Sequence, residues 1–237
     1  MFISTKGIVL RSYPFKDNKF ITKVFTREAG LVSFIFRKTK NQVILSQPLT
    51  MLDITYRSPK NKQLFYIKEA QINYPYQNLL FNNTKINHSI IMCEILYKCL
   101  KEPNEVLFDF IIESFKWFDT NNISPSLFNN FFLIKFCEKI GISPFSKNEN
   151  EIPLNYMLNI SDGSFIRPQN TENKNLIPYK ESVELHILSK TSLQELINHP
   201  TSKKTNSVVF NYLIKYISTH LTDISNLKAT SIIKEIY

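Results

Sequence analysis

The sequence predicts an α+β protein with a small antiparallel β-barrel in front and helices behind. Three observations carry this. Between Thr5 and Ile72, aromatic and β-branched residues recur with period two in short runs. After Leu80 the apolar spacing changes to three and four residues. Residues 1–80 hold 13 of the 29 Lys and Arg but only 4 of the 20 Asp and Glu, so the net charge of +9 arises there and the rest balances at 16 of each sign. A split this sharp predicts a basic binding module at 1–80 followed by a neutral helical part at 81–237.

The barrel elements follow in order. Gly7–Tyr13 is apolar and β-branched and stops at Pro14. Phe20–Thr26 alternates, with Phe20, Thr22, Val24 and Thr26 on one face and Ile21, Lys23 and Phe25 on the other. Leu31–Phe36 follows Gly30, a residue able to take the φ > 0 turn. A short polar connection leads to Leu49–Tyr56, and the charged turn 57–62 leads to Leu64–Ile72. Five short strands with no long helix between the first three predict a barrel of the OB type.

The helical part begins with Ile86–Leu100, where Ile86, Ile90, Cys93, Leu96, Tyr97 and Leu100 share helical spacing. Asn104 is placed to cap Glu105–Phe118, whose first turn carries Glu105 and Asp109 as the helix dipole favours. Ser124-Pro125 starts a third helix that runs to Lys139, with Gly141 as its stop. These three helices read as a bundle. Ser143–Pro178 reads as an irregular insertion, with extended pieces at Tyr156–Ile160 and Ser164–Ile166. Short helices are expected at Glu181–Ser189 and Leu193–Asn198, a longer one at Ser207–Leu221 and a last one at Ala229–Ile236.

Several kinds of chemistry find no footing. Cys93, Cys99 and Cys137 form no C-x-x-C pair and sit in apolar helical stretches, so they read as core residues. The four histidines show no metal-ligand spacing, and neither a metal nor a cofactor is expected. No P-loop or Ser/His/Asp signature appears. A metal nuclease would need some of Asp17, Glu28, Asp53 and Glu69 clustered, whereas two fall in turns and two on different strands. Lys6 and Arg11 interrupt any apolar leader, and the longest apolar run, Phe131–Cys137, contains Lys135. A cytoplasmic, nucleoid-associated location is the expectation.

The binding candidates are the cations around the strands: Lys6, Arg11, Lys16, Lys19, Lys23, Arg27, Arg37, Lys38 and Lys40, with Arg57, Lys60 and Lys62 in the later turn. Singly, each reads as a solvated surface residue. As a set with few opposing acids, they predict sequence-neutral contact with a nucleic-acid backbone. Tyr13, Phe15 and Phe34 are candidates for base stacking, with the barrel core as the stronger reading of Phe34.

The order of these residues resembles a known family. Thr5-Lys6-Gly7-Ile8-Val9-Leu10, Phe25-Thr26-Arg27-Glu28-Ala29-Gly30, the basic Arg37-Lys38-Thr39-Lys40, Ser46-Gln47-Pro48-Leu49 and Ile67-Lys68-Glu69-Ala70 are similar to the first part of bacterial RecO recombination mediators. Glu102-Pro103-Asn104, Leu107-Phe108-Asp109, Gly141-Ile142-Ser143-Pro144 and Tyr212–Leu221 with Leu227-Lys228 resemble the helical part. The resemblance implies a non-enzymatic protein that binds single- and double-stranded DNA, promotes annealing, cooperates with RecR and helps load the recombinase. It also implies docking of the C-terminal tail of single-stranded-DNA-binding protein on the helical part, for which Lys135 beside Phe136 and Lys215 beside Tyr216 are candidates. Many members carry a four-cysteine zinc site after the Gly-x-x-Pro; here 143–178 contains no cysteine. The alternatives are a general single-stranded binder that prefers RNA, and the metal nuclease.

Overall fold

A computed structural model describes residues 2–37, 40–57, 64–145, 152–167, 175–200 and 202–229. Five strands form a closed barrel: β1 Phe2–Phe15, β2 Lys19–Thr26, β3 Gly30–Arg37, β4 Met51–Arg57 and β5 Leu64–Tyr74. Their order around the barrel is β1-β2-β3-β5-β4. All pairs are antiparallel except β3 with β5. The long β1 serves two neighbours. Its first half pairs with β4 and its second half with β2, with a register shift between Val9 and Arg11. Such a bulge bends a strand and lets it turn the corner of a closed sheet. The β1–β2 turn places Asp17 at φ 55° and Asn18 at φ 59°, residue types that tolerate this region.

Val9, Val24, Val32, Phe34, Phe36, Leu52, Ile54 and Tyr56 fill the barrel. The expected polar connection after β3 is a 3₁₀ turn, Lys40–Ser46, and its Leu45 packs into the same core. Phe34 is fully buried, edge-on to Tyr56, and so takes no part in stacking with a ligand.

The outer wall is partly covered as well. α1 (Asn83–Cys99) packs along β1, and Phe108 of α2 (Glu105–Thr120) meets Phe25 of β2 at 6.0 Å between ring centroids. Ile8 and Phe25 are therefore buried although they alternate with Val9 and Val24 and point away from the barrel interior. For that reason the alternation on β2 does not separate buried from exposed residues. Gly30 (φ +67°) sits where the β2–β3 turn touches the α1–α2 connection, and the Leu31 amide donates to the Lys101 carbonyl at 3.0 Å.

Contacts divide the chain into two compact units, 1–120 with 227–237, and 121–226. α1 and α2 thus group with the barrel, and the third expected helix groups with the second unit. The second unit holds α3 (Pro125–Lys139), α4 (Tyr179–Lys190) and α5 (Lys203–His220). Its insertion is more regular than expected: β6 (Met157–Asn159) lies between β7 (Phe165–Ile166) and β8 (Leu176–Ile177). Leu158, Ile160 and Ile177 are buried there, and Ser182 Oγ accepts from the Leu158 amide while donating to the Ile177 carbonyl. His220 Nε2 lies 2.6 Å from the Ile160 carbonyl oxygen. Apolar packing and these bonds tie the sheet to the helices. The segment expected at Leu193–Asn198 is a 3₁₀ turn, Glu195–Asn198, and most of the expected helix Ala229–Ile236 lies outside the described residues.

Candidate nucleic-acid interface

Strand register sorts the predicted cations by barrel end. On the outer face, Arg11 stands opposite Lys23, and Lys23 opposite Ser33. Two residues further along, Tyr13, Ile21 and Ile35 form the next row, and beyond it come Phe15, Lys19 and Arg37. Lys16 lies in the adjoining turn. Three neighbouring strands therefore present Arg11, Lys16, Lys19, Lys23 and Arg37 together, with Tyr13 and the 45 % exposed Phe15 among them. The Arg11 guanidinium lies over the rings of Tyr13 (5.9 Å) and Tyr97 of α1 (5.2 Å), and Lys23 Nζ donates to Ser33 Oγ at 2.6 Å. Among the described residues, none of these five cations lies within 4.0 Å of a carboxylate. The Arg11 stacking holds its charge toward solvent on a rigid support.

The opposite end is different. Arg27 donates twice to Asp109 of α2, Nε to Oδ1 at 2.9 Å and Nη2 to Oδ2 at 3.0 Å. Its Nη1 also lies 2.7 Å from Glu105 and 4.0 Å from Glu28. The hydrogen bonds from Arg27 hold the Asp109 carboxyl below the usual range against the cost of desolvation, and the charges of Arg27 and Lys6 add to this. Arg27 is raised in turn, first by the Asp109 bond. Lys6 faces Asp53 across β1 and β4, in a recess that Glu28 and Glu69 also line. Arg27 and Lys6 thus lie among acids, and Arg27 ties the barrel to α2. In the sequence, the acidic first turn of α2 reads only as a match to the helix dipole; nothing local marks it as the partner of a residue 82 positions away.

Arg57 is exposed at the end of β4. Lys38, Lys60, Lys62 and the Lys40 side chain lie outside the described residues. Of the four acids weighed for a metal site, Asp53 accepts both contacts from Asn73 Nδ2, at 3.1 and 3.0 Å. Among the described residues, no group of three or more His, Cys, Asp or Glu is placed to hold a metal. No described helix is long and apolar enough to cross a membrane.

In the second unit, Phe136 is fully buried and Tyr216 nearly so, its hydroxyl donating to the Ile142 carbonyl at 2.7 Å. Both are core residues and offer no surface to a partner. Lys135 donates to the Ser189 carbonyl and lies 3.7 Å from Glu138; desolvation chiefly lowers its pKa. Lys215 is exposed and reaches Asn175 Oδ1 at 3.1 Å. Apolar neighbours at helical spacing read equally as core or pocket, and here they are core.

Fold and surface together define a class: an OB-barrel protein with a cationic outer face and a helical second unit. Residues 1–76 match the family model described as Recombination protein O N terminal. The whole chain aligns with the whole length of proteins named DNA repair protein RecO, at 29 % identity in Phocaeicola vulgatus and 26 % in both Bacteroides fragilis and Flavobacterium psychrophilum. The chain is thus similar to the N-terminal part of the RecO family over residues 1–76 and to proteins of that name along its whole length.

Proposed function

We propose that this protein acts in recombinational DNA repair as a non-enzymatic mediator, binding single- and double-stranded DNA through the basic end of its barrel. Residues 1–80 carry the contact. The supporting observation is the three-strand face of Arg11, Lys19, Lys23 and Arg37 with Lys16, none of which, among the described residues, lies within 4.0 Å of a carboxylate. Cations on a rigid sheet contact phosphates whatever the base sequence, as strand annealing requires. The helical unit is left to face proteins, with RecR and the acidic tail of single-stranded-DNA-binding protein as the partners that fit a mediator.

The test is a salt titration of DNA affinity. Changing Lys19, Lys23 and Arg37 to Ala is expected to weaken binding to all sequences alike. It should also flatten the log–log salt dependence by roughly 0.7–0.9 for each phosphate no longer neutralised. Arg27→Ala, at the acid-rich end, is expected to leave that slope unchanged and to lower thermal stability instead. An unchanged slope in the triple variant would remove this face from the interface. Competition between DNA and RNA of one sequence separates the mediator from an RNA binder.

A further inference from the structure

Phe2, Arg57 and Tyr66 stand opposite one another on β1, β4 and β5. All three lie on the outer wall, because Ile3, Phe65 and Ile67 beside them pack on the barrel core. Phe2 is 57 % exposed and Tyr66 62 %, and Lys68 Nζ lies 5.0 Å from the Phe2 ring centroid. The barrel closes without these two rings, so packing does not account for them. The row is continuous with the basic face: Tyr66 is opposite Ile35, Ile35 opposite Ile21, and Ile21 opposite Tyr13. No carboxylate occupies that circuit. Glu69, one step along β5, is paired with Lys68 at 3.5 Å.

Exposed rings flanked by cations suit a strand whose bases are free to stack while its phosphates meet charge. A duplex hides its base faces, so rings of this kind discriminate where cations alone do not. We propose that Phe2 and Tyr66 form a stacking platform for unpaired bases, with Arg57 and Lys68 receiving the adjoining phosphates, so that single strands are preferred at this end of the barrel. The proposal rests on the basic-face reading and adds a discriminating surface to it.

The test compares a fluorescent oligothymidylate with a blunt duplex of equal length, using full-length protein. In Phe2→Ala/Tyr66→Ala, oligothymidylate affinity is expected to fall about tenfold or more. Duplex affinity and both salt slopes should stay as in the unaltered protein, and Phe2→Tyr/Tyr66→Phe should retain single-strand binding. Tyr66→Trp adds a stacking signal over the single native Trp117: its emission should be quenched by oligothymidylate and not by duplex. Equal losses on both DNAs, or a loss on neither, overturn the platform while the basic face stands. If an acidic peptide binds and the Ala pair abolishes only that binding, the patch belongs to a protein partner and the proposal falls. Unaltered protein that binds neither DNA removes both readings.

Discussion

Asp119 has no solvent exposure, and burial alone would push its carboxyl pKa up. Donors from the Gln77, Leu79 and Asn78 amides and the Tyr74 hydroxyl, at 2.6 to 3.0 Å, outweigh that cost and hold it below the usual range. The carboxylate gathers the amides at the start of a 3₁₀ turn (Leu79–Phe81) and fixes the chain between β5 and α1 to the end of α2. Lys85 donates to the carbonyls of Phe118 and Asp119 at 2.7 and 3.3 Å and secures the same junction. Because the folded pKa is depressed, the stability from Asp119 is present above the unfolded-state carboxylate pKa of about 4 and is lost as pH falls through the folded value. Asp119→Asn should cost about 3 kcal/mol at pH 7, since an amide turns a donor toward donors. The deficit should shrink in acid, and denaturant unfolding at pH 7 and pH 3 measures both. None of this is legible in the sequence. Asp119 lies one residue past the expected end of its helix, and its partners are some 40 residues earlier.

Among elements, the strands and helices are legible because their periodicities are local, and the joints between them are not. Gly30 reads as a turn residue, and its φ of +67° agrees. The sequence does not reveal that the turn abuts the α1–α2 connection. A Cβ on Gly30 would lie 2.5 Å from the Lys101 carbonyl oxygen and 2.7 Å from backbone atoms of Glu102 and Pro103. Backbone cannot swing aside as a side chain can. Gly30→Ala therefore combines left-handed strain with a clash, and should cost about 3 kcal/mol or more in denaturant unfolding. DNA affinity per folded molecule should not change, since the basic end of the barrel is built from other rows. The insertion gives a similar lesson. Two of its strands are visible in the sequence, but β8 is two residues long and becomes a strand only through its pairing with β6.

At the scale of the molecule, the charge imbalance of residues 1–80 is plain in the sequence, but its distribution is not. α2 brings Glu105 and Asp109 to one barrel end and leaves the other positive. α1 and α2 also make the barrel dependent on chain beyond residue 80. Ile8 and Phe25 point outward and are both 0 % exposed, on strands that α1 and α2 cover. Exposing each costs about 1.5–3 kcal/mol. Together that reaches the lower end of the stability of a typical domain, about 5–15 kcal/mol. A fragment of residues 1–80 should therefore lack a cooperative thermal transition and tend to aggregate. Residues 1–120, which keep both helices over the wall, should fold and give a dispersed amide NMR spectrum. The longer fragment should also keep the salt slope of the full chain on DNA, because the basic rows lie wholly within it. Cooperative folding of 1–80 alone would mean that the barrel core suffices and that the helical cover adds little.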